Sequence, residues 1–132
     1  MNIRQLATTA ANTGRRIAAR VRRLAAPVEI AIRNGATTTR EIAAGELTLI
    51  GDELAAIGAD DEWINSYSSP AGKAVAKAWR AQTGTEPRQI WSRHRRTGRP
   101  IYVKAYPTTF AGRTAIDTGF ARYSRTAALL AA

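Results

Sequence analysis

The sequence has no cysteine, one methionine and a single histidine, His94. Without cysteine there can be no disulfide scaffold, no thiol catalysis and no cysteine-based zinc site. One histidine leaves too few nitrogen ligands for an all-protein transition-metal cage. No apolar run approaches the length that a membrane-spanning helix requires, and there is no secretory signal with an apolar centre. The expectation is a soluble intracellular protein without membrane contact or cofactor. Acidic residues are also scarce, ten against twenty Lys and Arg, and the first 28 residues contain none.

The chain of 132 residues is the size of one domain, and its formal net charge of +10 sits on a small body. The charge is unevenly distributed. Residues 1–35 carry seven Arg against one Glu, and residues 36–68 carry one Arg against seven acids. Residues 69–107 carry nine cations against one Glu, and residues 108–132 three against one. Two basic blocks flanking an acidic one point to long-range attraction to a polyanion, with the acidic segment turned away from it or partly neutralising the N-terminus. Charge alone does not separate DNA, RNA and anionic lipid. The preference for Arg over Lys and the abundance of Ala resemble the usage of a GC-rich bacterial genome. The acid-free start also has the composition of a mitochondrial import sequence.

Residues 2–26 read as a helix with Arg16, Arg20 and Arg23 on one stripe and Ile17, Val21 and Leu24 beside it, ended or kinked by Pro27. A short helical piece, Val28 to Arg33, is closed by Asn34-Gly35. The expected organisation is a basic helical arm, residues 1–35, and a domain, residues 36–132. The arm either docks on its own domain or on a second copy, or it tracks phosphates, and its pattern leaves both open.

Thr38-Thr39-Arg40-Glu41 has the form of a capping box. The run after it places Ala43, Leu47, Ile50, Leu54 and Ile57 on one face of a core helix ending at Gly58, with Glu46, Asp52 and Glu53 on its solvated side. Asp60-Asp61-Glu62 suits the first turn of a brief helix carrying Trp63, Ile64 and Tyr67. Ser69-Pro70 then reads as the start of a further helix that Gly84 stops. In that helix Lys73, Lys77 and Arg80 share one stripe, opposite Ala71, Val75, Ala78 and Trp79. Its first side is suited to negative charge and its second to burial, so Trp79 is expected in the core.

Gln89 to Arg96 and Arg99 to Tyr106 are strand-like runs around Thr97-Gly98. Pairing Arg96 with Arg99 puts Ile90, Ile101, Val103 and Ala105 on one face and Trp91, Arg93, Arg95, Tyr102 and Lys104 on the other. Thr108 or Thr109 can cap a last helix bearing Ile116, Phe120, Tyr123 and Ala127, in which Gly119 is a weak point.

The expected fold is mainly α with one β-hairpin, and its order of helix, short helix, helix and hairpin is winged helix-turn-helix-like. On that reading Lys73, Lys77, Arg80 and Gln82 meet a DNA groove. Ser69 and its helix N-terminus hold a phosphate, and Arg93, Arg95, Arg96, Arg99 and Lys104 contact phosphates from the wing. Trp91 and Tyr102 beside arginines are equally suited to unpaired bases, which keeps single-stranded DNA or RNA in view. A strand-nicking reading of His94 with Tyr102, Tyr106 or Tyr123 lacks the acid or metal set that such chemistry needs.

The stretches Gly72-Lys73-Ala74-Val75-Ala76-Lys77-Ala78-Trp79-Arg80, Thr83-Gly84-Thr85-Glu86-Pro87 and Gly98-Arg99-Pro100-Ile101-Tyr102-Val103-Lys104-Ala105-Tyr106 resemble a pattern in small DNA-binding regulatory proteins of bacterial, actinobacterial-type phages and plasmids, including modules attached to phage antirepressors. The resemblance covers under a third of the chain and brings no catalytic residues. It implies a DNA-binding or regulatory role in a mobile element. The expectation is therefore a non-enzymatic binder of double-stranded DNA, a regulator or accessory factor, in the bacterial cytoplasm or nucleoid or in a virion. A nonspecific packaging protein or an RNA-binding protein is the alternative, and a homodimer stays open.

Overall fold

The computed structural model describes residues 28–132; the expected arm helix with Arg16, Arg20, Arg23 and Pro27 lies outside them. The described chain is mainly helical, with one small antiparallel sheet. Residues 28–43 are helical (α1), so the helix continues through Asn34-Gly35, where a stop after Arg33 was expected, although Gly35 does take the left-handed φ of 81°. There follow β1 (Leu47–Leu49), α2 (Ile50–Ala56), α3 (Asp61–Thr83), β2 (Arg88–Arg93), β3 (Pro100–Pro107), α4 (Phe110–Arg122) and α5 (Ser124–Ala131). The sheet order is β1-β3-β2, which leaves β2 at an edge.

Sequence expectations are corrected at several places. The long core helix read from Thr38 to Ile57 is instead a helix end, a turn at Gly45 (φ 71°) and strand β1 before α2 begins. Leu47, Thr48 and Leu49 pair with Pro107, Tyr106 and Ala105, so an alternating Leu-Thr-Leu took the period of a strand although Leu47, Ile50 and Leu54 also fit a helical one. Thr38 and Glu41 do not act as a reciprocal cap. Both bind Arg88, Thr38 Oγ1 at 2.6 Å and Glu41 Oε1 at 2.9 Å, and this hydrogen bond holds the Glu41 carboxyl below its ordinary range.

The two helices expected on either side of Ser69 are one, α3, which runs through Pro70. Its cap is Asp60, whose Oδ1 accepts the Trp63 N–H at 2.8 Å. Pro70 has no N–H to give the Ser66 carbonyl, a local loss that the packing of Ile64, Ala71 and Val75 on either side overrides. The last helix is likewise divided at Tyr123 (ψ 120°), where Thr126 Oγ1 donates to the Phe120 carbonyl at 2.6 Å and turns the chain into α5.

The core is built from Ile50, Leu54, Ile64, Val75, Tyr106, Ile116 and Phe120, with Trp79 packed against it as expected. Burying Leu54, Val75 and Ile116 fully is worth about 1.5–3 kcal/mol each. The closest helix contact is α3 on α4. There Gly119 meets Val75 so tightly that a Cβ would lie 2.6 Å from the Val75 backbone, and a Cβ on Gly112 would collide with the Pro107 carbonyl. Arg113 joins α4 to α2 through Glu53 at 2.8 Å, so Glu53 is a half-buried anchor and not part of a solvated face.

Candidate nucleic-acid interface

The hairpin turn is closed by the His94 N–H to the Arg99 carbonyl at 2.8 Å, with Gly98 at φ 71°. The register is therefore shifted by two residues from the Arg96–Arg99 pairing, with Arg93 opposite Pro100 and Trp91 opposite Tyr102. A shift of two preserves parity, so Ile90, Ile101, Val103 and Ala105 still share one face and Trp91, Arg93, Tyr102 and Lys104 the other. Arg95 leaves that set and enters the turn. His94 shapes the turn as well: its Nδ1 accepts the N–H groups of Arg96 and Thr97, each at 3.1 Å.

A groove of about 1110 Å³ separates α3 from the hairpin. Asp61, Glu62, Ser69 and Lys73 line it on the α3 side, Arg93, Arg96, Tyr102 and Lys104 on the hairpin side, and Asp52 of α2 closes the end where Asp61 lies. Along α3, Ser69, Lys73, Lys77 and Arg80 follow one another on the exposed stripe. Lys73, Lys77, Arg93, Arg96 and Arg99 are exposed, Lys104 is half-buried, and none of the six takes part in an ion pair among the described residues.

Four of the expected contact residues are placed otherwise, among them Gln82, whose Nε2 donates to the Ala111 carbonyl of α4 at 3.0 Å. Ser69 lies eight residues inside α3, where backbone N–H groups are committed to the helix, so the expected N-terminal phosphate site is absent there. Arg80 is held by Glu86, its Nε 2.9 and 2.8 Å from the two carboxylate oxygens. Arg95 reaches Asp52 at 2.9 Å and Asp61 at 3.3 Å, clamping the hairpin turn to α2 and to the start of α3. The Asp52, Asp60 and Asp61 carboxylates thus have structural partners, and the acidic end of α3 is tied to the wing.

Sequence reasoning missed Arg33 and Asn34. The Arg33 guanidinium lies 4.6 Å from the centre of the Trp91 ring, and Trp91 in turn meets Tyr102 with ring centres 5.1 Å apart. The Asn34 amide bonds both backbone polar groups of Trp91. Asn-Gly gave a stop signal, but nothing in it indicated a partner 57 residues away.

Compared with known proteins, the chain matches no family model, no curated protein and no solved structure.

Proposed function

We propose that the protein is a non-enzymatic binder of double-stranded DNA with a winged-helix-like arrangement, acting as a regulator or accessory factor of a bacterial mobile element or phage. The observation that carries this reading is the groove between α3 and the hairpin, where Lys73 on the helix and Arg93, Arg96 and Lys104 on the wing have no acidic partner among the described residues, while two of the groove's three acids, Asp52 and Asp61, are taken up by Arg95 and the third, Glu62, lies at the start of α3. The element order also supports it. Helix, strand, two helices and a hairpin, with the first strand paired to the last, is the order that a winged arrangement would need for a helix and a wing to meet a duplex together.

The charge pattern of α3 sets the direction of contact. Asp60, Asp61 and Glu62 at its start repel phosphates, whereas Lys73 and Lys77 in its second half attract them. The backbone of the duplex accordingly meets the groove at its Lys73 end, passing over Lys73, Lys77 and the exposed side of the hairpin and away from the other end, where Asp61 and Glu62 lie. Such contacts position the protein, and only groups that reach base edges specify sequence.

The test is the salt dependence of duplex binding by the full chain and by the Lys73→Glu/Lys77→Glu and Arg93→Glu/Arg96→Glu variants. Each lost phosphate contact should flatten the slope of log K against log salt by about 0.9. Variants that bind like the parent would remove the groove from the interface. Selection from a random duplex pool then separates the roles: an enriched motif supports a regulator, and retention without enrichment supports packaging.

A further inference from the structure

The exposed side of the hairpin carries an aromatic ladder that phosphate binding does not require. Trp91 and Tyr102 face each other as a pair whose backbone groups do not bond to one another, the arrangement that brings cross-strand side chains closest. Their rings are tilted by 36° at 5.1 Å. Arg33 is stacked at 4.6 Å from the Trp91 ring, and Asn34 fixes the Trp91 backbone at 2.7 and 2.9 Å. The inner rung is therefore occupied and held. The outer rung is open: Tyr102 is 54% exposed and lines the groove with Lys73, Arg93 and Lys104. A cross-strand aromatic pair that only stabilised the sheet would gain by burying both rings.

We infer that Tyr102 is a stacking platform for one unpaired nucleobase, with Lys73, Arg93 and Lys104 holding the phosphates on either side of it. The inference rests on the nucleic-acid reading and deepens it, since the bound molecule is then a duplex with an extrahelical or single-stranded nucleotide at the wing. Every base has a flat face, so stacking of this kind tolerates sequence, and a pre-held aromatic loses little freedom when the base arrives.

The experiment compares the full chain with Tyr102→Ala and Tyr102→Phe on three probes: a fully paired duplex, the same duplex with one bulged thymine, and single-stranded oligothymidine. The parent should prefer the bulged duplex on the order of tenfold. Tyr102→Phe should keep that preference, because the ring remains, and Tyr102→Ala should bring the ratio of bulged to paired affinity down to about one, whatever the change in paired-duplex affinity itself. Far-ultraviolet circular dichroism and melting temperature establish that the variants are folded. Equal parental affinity for bulged and paired duplex overturns the inference and leaves duplex binding standing, as does a preference that survives Tyr102→Ala. Tight binding of oligothymidine with none of the paired duplex replaces the duplex reading and keeps the platform. Binding to none of the probes overturns both.

Discussion

Asn34 makes a two-point bridge to Trp91: its Nδ2 donates to the Trp91 carbonyl at 2.9 Å, and its Oδ1 accepts the Trp91 N–H at 2.7 Å. Because β2 is an edge strand, these are outward-facing groups that no further strand satisfies, and the side-chain amide takes that strand's place. Asn34→Ala should lose both bonds and cost about 1–2 kcal/mol in urea unfolding. Asn34→Asp should cost at least as much, since a carboxylate would face the Trp91 carbonyl with no proton to donate. A stability loss below about 0.3 kcal/mol in both would mean that water serves the edge equally well.

Gly119 reverses a rule of thumb. Helix propensity alone says that Ala in its place stabilises a helix by about 1 kcal/mol. A Cβ there would come within 2.6 Å of the Val75 Cα and N, and backbone cannot step aside as a flexible side chain can. Gly119→Ala should therefore destabilise by about 2–3 kcal/mol, read from the urea midpoint, as α3 and α4 are forced apart. A neutral or stabilised variant would mean that the two helices are not packed this closely.

Legibility followed the range of the interactions. Local signals were readable: the positive φ at Gly35, Gly84 and Gly98, the stop of α3 at Gly84 and the parity of the hairpin faces all follow from residue type and spacing. Elements fixed by distant partners were not. Leu47–Leu49 is a strand because β3 lies beside it, and Ser69 fails as a cap because packing carries the helix past Pro70. Cationic candidates divided by the same logic. Lys73, Lys77, Arg93, Arg96 and Arg99 stay exposed, whereas Arg80 is bound by Glu86, six residues on, and Arg95 by Asp52 and Asp61, which the sequence places in another segment.

Tyr106 is fully buried and its hydroxyl has no hydrogen-bond partner among the described residues. Burial pushes its ionisation up to about 12, against 10 for an ordinary tyrosine. Below pH 10 the phenol is neutral in both states and full stability is present. As pH rises from about 10 through 12, the unfolded chain ionises first and stability falls, by on the order of 2–3 kcal/mol in total. Tyr106→Phe removes that loss. At neutral pH it also removes an unpaired buried hydroxyl, so the variant should be as stable as the parent or up to about 1 kcal/mol more so. Urea unfolding of the pair at neutral pH and near pH 11 checks both statements. A variant clearly weaker at neutral pH would show that the hydroxyl is hydrogen-bonded to a buried water.

Arg80 lies on the same α3 stripe as Lys73 and Lys77, yet its guanidinium is already engaged by both oxygens of Glu86. Glu86 is largely exposed, so this pair contributes little to stability, and removing the acid should leave the fold intact. Its effect on a polyanion is larger, because Glu86 both occupies a cation and repels phosphate. Glu86→Gln should therefore tighten duplex binding and steepen the log K against log salt line by up to about 0.9, the increment for one added phosphate contact. Arg80→Gln should in turn cost less affinity than Lys73→Gln, since it removes a charge that Glu86 already balances. If Glu86→Gln changes neither affinity nor slope while Arg80→Gln weakens binding as much as Lys73→Gln, Arg80 abandons Glu86 on meeting DNA, and the free-state pairing says nothing about the bound one.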